Sequence, residues 1–113
     1  MKYESRFERF EVTGPDGKLR AVEFRRAGFL TVGDRPELYF FRLAGDEVVV
    51  GISGSALRGF EQGRRCLSRE EKIDVAGLWL KRQIAIGASC DSHNLFVRDE
   101  ELAALAEELQ FPA

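Results

Sequence analysis

The stretch that most limits what this chain can fold into opens at Ser68-Arg69-Glu70-Glu71, a capping box. There the Ser68 hydroxyl accepts from one orphan backbone N–H of a helix start and the Glu71 carboxylate accepts from another. The spacing stays helical to about Ile86, with Gly87 as the stop. At ~100° per residue, Ile73, Ala76, Gly77, Leu80 and Ile84 form one apolar stripe, and Val75, Trp79 and Ile86 form a second roughly 120° to 160° away. Lys72 and Gln83 separate the two on one side. A sheet covers one stripe; the other needs a neighbouring helix or a second copy of the protein. Trp is enriched at interfaces and is also an ordinary core residue, so Val75, Trp79 and Ile86 are the expected contact surface of a homodimer.

The sheet comes from the first half. Leu38-Tyr39-Phe40-Phe41-Arg42-Leu43 is apolar at both parities, which predicts a central strand with both faces largely covered. Ala44-Gly45-Asp46-Glu47 turns the chain into Val48-Val49-Val50-Gly51-Ile52, a β-branched run. Upstream, Tyr3, Phe7 and Phe10 have helical spacing while Phe10 and Val12 alternate. The reversing turn Gly14-Pro15-Asp16-Gly17 favours a strand and a hairpin. Its second arm, Lys18 to Arg26, is interrupted by Ala27-Gly28 as by a bulge or break, resumes in Phe29-Leu30-Thr31-Val32, and ends at the turn Gly33-Asp34-Arg35-Pro36.

Helical signals follow Ile52. Ser53 or Ser55 caps a short helix to about Gln62 with Gly63 as its left-handed stop. Leu95 to Arg98 is a short strand or extended arm, and Asp99 caps a last helix carrying Leu102, Leu105, Ala106 and Leu109 on one face. The expected fold is a single α+β domain over residues 1–113, mainly β over 1–52 and mainly α over 53–113. It is an antiparallel β-meander of three to four strands followed by two to three helices, with the central long helix packed on the sheet.

One domain suits 113 residues. No apolar run approaches the ~18 residues of a membrane helix, and the opening MKYESRFERF lacks the apolar stretch of a signal peptide, so no membrane association and a cytoplasmic location are expected. The two Cys read as thiols. A net charge of −2 argues against a surface that is wholly phosphate-binding. The charge is uneven, however: Arg64, Arg65, Arg69 and Lys72 cluster in the basic segment 58–72 with Phe60 nearby as a stacking group, and are the candidates for an anion or nucleic-acid surface.

Cys90-Asp91-Ser92-His93 superficially resembles the Cys-Asp-Gly-Ser-His signature of a small iron–sulfur family, but the glycine and that family's two closely spaced upstream cysteines are absent. It offers one pair of ligands where structural zinc takes four, so neither a metal nor a cofactor is expected. His93 is the single His, so a thiol- or metal-dependent enzyme would centre on Cys90 and His93, the only catalytic candidates. Gly51-Ile52-Ser53-Gly54-Ser55 leads from strand to helix as phosphate-holding loops do, without a dinucleotide or P-loop pattern. The reading favoured is a small non-catalytic interaction or regulatory module, homodimeric; the alternatives are a nucleic-acid-binding accessory protein and the Cys90/His93 enzyme. If Leu80 lies in the core, Leu80→Ala lowers the unfolding free energy by about 2 to 5 kcal/mol in urea titration, and by far less if the helix faces are reversed.

Overall fold

The computed structural model describes residues 3–88 and 96–111. Within them the chain forms β1 (Arg9–Thr13), β2 (Leu19–Phe29), β3 (Glu37–Leu43), β4 (Asp46–Ile52), α1 (Gly54–Gly63), α2 (Arg69–Ala85), β5 (Phe96–Val97) and α3 (Asp99–Leu109). This is an α+β architecture. The five strands make one mixed sheet in the order β1-β2-β3-β4-β5, antiparallel except where β5 runs parallel to β4.

Local chemistry explains the turns. Gly17 takes φ +78° and its N–H donates to the Gly14 carbonyl, closing the first hairpin as the Gly-Pro-Asp-Gly string predicts. Ala44 and Gly45 both have positive φ between Leu43 and Asp46, a two-residue hairpin loop of the primed kind. Two expectations are corrected. β2 is not interrupted at Ala27-Gly28; its irregularity falls between Phe24 and Arg26, where Arg25 is the extra residue. Gly63 is the last residue of α1 rather than a left-handed stop, and the Arg64 N–H closes that helix on the Phe60 carbonyl.

One sheet face is the core face: Val12, Val22, Tyr39, Phe41, Val48, Val50 and Ile52 alternate inward along four strands and are buried. α2 lies on it. Its Ser68 capping box is formed, with Ser68 Oγ accepting from the Glu71 N–H at 3.2 Å and the Ser68 N–H donating to Glu71 Oε1 at 2.8 Å. Ile73, Ala76, Gly77, Leu80 and Ile84 are buried, as that stripe requires. The second stripe is divided. Val75 and Trp79 are buried within the chain, where α2 meets α3, whereas Ile86 is 73% exposed just past the end of the helix. Trp79 Nε1 donates to Glu101 Oε2 at 2.8 Å, and Glu101 Oε1 accepts the Arg98 N–H at 3.2 Å, so one carboxylate joins α2 to α3 and caps α3. Asp99, expected as the cap, is instead the first helical residue.

α2 is covered on a third side as well. Residues 3 to 8 form no strand; they run along α2 as an extended strap whose donors converge on Asp74, a carboxylate with no exposed surface. Ser5 Oγ donates to Oδ1 at 2.6 Å, the N–H of Arg6 to Oδ2 at 2.9 Å and that of Phe7 to Oδ1 at 2.9 Å, and the Tyr3 hydroxyl donates to Oδ2. Partial burial and the bond to Asp74 push the Tyr3 hydroxyl up to about 12. Arg6 Nη2 also donates to the Leu109 carbonyl at 2.8 Å, tying the strap to the end of α3. The close approach explains a glycine in mid-helix, for a Cβ on Gly77 would stand 2.6 Å from Phe7 Cβ. Gly77→Ala therefore destabilises by about 1 to 3 kcal/mol in chemical denaturation, although alanine at an exposed helical position would stabilise by ~1 kcal/mol.

Candidate functional site

The four basic residues singled out from the sequence do not form one open cationic face. Arg65 donates through both terminal nitrogens to Glu71, Nη1 to Oε1 at 2.8 Å and Nη2 to Oε2 at 2.6 Å, in the bidentate geometry that suits a guanidinium and a carboxylate. The Glu71 side chain is only 2% exposed, and those bonds hold its carboxyl below the ordinary carboxylate range. Lys72 pairs with Glu37 at 3.1 Å, and Glu37 also accepts from the Tyr39 hydroxyl at 2.8 Å. Burial, and then the Glu37 charge, push that hydroxyl far above its usual value. Arg69 lies over the Phe24 ring at 5.3 Å and Arg64 over Phe60 at 5.2 Å. The segment thus divides between two clefts, one holding Arg69 and Lys72 with Phe29, the other Arg64 and Arg65 with Phe60.

The Gly51 to Ser55 connection is occupied by the chain's own anion. Asp34, in the loop between β2 and β3, places its carboxylate at the α1 N-terminus. It accepts from Ser53 Oγ at 2.6 Å and from the Ser55 N–H at 3.0 Å, and Arg58 sits 3.2 Å away. Hydrogen bonding from Ser53, then from the Ser55 backbone, lowers the Asp34 pKa. Gly54 is required here, since a Cβ would meet the Asp34 and Arg35 carbonyl oxygens. Cys90 and His93 lie outside the described residues; Cys66 is exposed. Among the described residues no group of three or more His, Cys, Asp and Glu is placed to hold a metal ion, and no helix is long and apolar enough to cross a membrane.

The surface that stands out was not identified from the sequence. On the sheet face opposite the core, one half is charged: Arg9, Arg26 and Arg42 alternate with Glu11, Glu23 and Glu47, with Arg9–Glu23 and Arg26–Glu47 ion pairs across strands. The other half is apolar. Leu38, Phe40 and Val49 are half-buried, Arg26 lies over the Phe40 ring at 3.7 Å, and the Phe96 ring covers Gly51, where a Cβ would collide with it. This half continues into the β2–β3 loop through Leu30, 45% exposed, and Val32, 71% exposed. Leu30, Val32 and Phe96 together line a shallow cleft of about 630 Å³. β3 is central, as expected, but among the described residues its second face is only half-buried at Leu38 and Phe40.

No family model, curated protein or solved structure matches this chain. Its chemistry therefore has to be read from its own surfaces. Of the residues expected at an interface, Ile86 alone is exposed, while the apolar outer half of the sheet presents a wider surface.

The Glu71 site gives a pH dependence whose sign is fixed. The folded-state pKa lies below the ordinary 4.5, so its stabilisation is complete above about pH 4.5 and is lost as pH falls through the lower folded value. Thermal melts should show wild type losing stability more steeply below pH 4.5 than Glu71→Gln. At neutral pH the variant should be less stable by about 1 to 3 kcal/mol.

Proposed function

We propose that this protein is a small non-catalytic interaction module that pairs with a second copy of itself through the apolar half of its outer sheet face. The observation that carries the reading is the continuity of Leu30 and Val32 with Leu38, Phe40, Val49 and Phe96 on one side of the sheet. Monomers rarely leave a contiguous apolar surface open, and such surfaces mark interaction sites.

Charge favours a second copy as the occupant. The adjoining half of the face carries charges of both signs, Arg9 and Arg25 paired with Glu23 and Arg26 with Glu47, so a two-fold related copy can set Arg against Glu across the contact. A two-fold axis brings each patch onto its own copy, the usual arrangement in homodimers. The same geometry leaves the helical side of the molecule open to other partners, as a regulatory module requires.

Light scattering on a size-exclusion column across a concentration series should give twice the 12.8 kDa chain mass. The double variant Leu30→Glu, Val32→Glu should elute at the single-chain mass with an unchanged melting curve, because both side chains are outside the core. Wild type that stays at 12.8 kDa up to its solubility limit, or a double variant that still dimerises, overturns the reading.

A further inference from the structure

We infer that the cleft between α1 and α3 is a binding site for a free α-amino acid with an apolar side chain. The cleft has a volume of about 470 Å³, within the ~300 to 1,000 Å³ of small-molecule sites. Its walls are apolar: Phe60 from α1, Phe111 just after α3, and the buried Ala106 between them. Its rim is not. Arg64, at the end of α1, and Glu107, in the last turn of α3, both line it.

The charges on that rim are unevenly used. Arg65, which also lines the cleft, is held by the buried Glu71. Arg64 and Glu107 are both exposed, and neither is in an ion pair among the described residues, with each other or with anything else. A cation and an anion that flank an apolar cleft without closing on each other match a zwitterion. Arg64 suits its carboxylate in bidentate fashion, Glu107 its ammonium, and the rings its side chain. The ammonium also meets the negative end of α3, which carries no basic residue in its last turn.

The apolar wall is fixed before any ligand arrives. Phe111 packs edge-on against Tyr3 with ring centroids 5.0 Å apart, and Tyr3 is bonded to Asp74. Phe60 is held beneath the Arg64 guanidinium and packs against the core. Such pre-organisation lowers the ordering cost of binding. The site is separate from the outer sheet face and does not rest on the pairing proposed above.

The test is titration of the full chain with L-phenylalanine and L-leucine, followed by heteronuclear NMR and calorimetry. 3-Phenylpropionate, which lacks the ammonium, and phenethylamine, which lacks the carboxylate, serve as comparison ligands. The amino acids should shift the resonances of Phe60, Ala106 and Phe111, and both comparison ligands should bind at least about tenfold more weakly. Arg64→Ala and Glu107→Gln, both at exposed positions, should each weaken L-phenylalanine by a similar factor while the unliganded variants keep a cooperative melting transition. No shift with either amino acid at about 10 mM overturns the inference. So does equal binding of 3-phenylpropionate, which would make the site one for simple carboxylates, or binding that both variants leave intact.

Discussion

Asp74 has an acidic side chain with no exposed surface in the second turn of α2, so its oxygens have to be satisfied inside the protein. The strap at residues 3 to 7 does this with two hydroxyls and two backbone N–H groups, and the same strap lies over Gly77 and reaches the end of α3 through Arg6. Core sheet, strap and α3 therefore meet on one helix. Removing the carboxylate would leave the strap's donors without a buried acceptor, and the edge-on stacking of Tyr3 on Phe111 would lose its anchor. Glu71 repeats the theme one turn earlier: a buried acid bonded by Arg65 and by the helix's own cap.

These buried acids account for how the basic segment is used. A row of Arg and Lys reads as a field for phosphate only while its charges face outward. Here Arg65 and Lys72 are matched to Glu71 and Glu37, and Arg64 and Arg69 rest on aromatic rings. The α1 N-terminus is filled in the same way by Asp34. Much of the polar surface near the helices is thus already engaged within the chain, and the wider open apolar area lies on the outer face of the sheet.

The parts of this fold that were legible in the sequence are those set by local rules. The Ser68 capping box, the Gly14-Pro15-Asp16-Gly17 and Ala44-Gly45 turns, and the inward stripe of α2 follow from caps, φ preferences and periodicity. What was not legible depends on neighbours. Asp74 falls on the helix side that periodicity assigns to water, and only the strap, invisible to periodicity, makes it interior. Leu38 and Phe40 showed that β3 is apolar on both faces, but a both-sided pattern does not distinguish a face covered in the chain from one left open. The signal for the open face was present in Phe29-Leu30-Thr31-Val32, an apolar run too close to a turn to be buried by it. Arg64 and Glu107 are distant in sequence, and nothing short of the fold brings them to one cleft.

The lone parallel pairing, Gly51 with Phe96 and Ile52 with Val97, has a consequence for biosynthesis. A ribosome delivers all four antiparallel strands before the helix that shields them and before the fifth strand that completes their edge. For that interval the nascent sheet shows grease on both sides, and its β4 edge is unpaired. Such an intermediate invites rescue by cellular chaperones or sticking to its sibling chains, which makes the speed of translation through the helical half a determinant of yield.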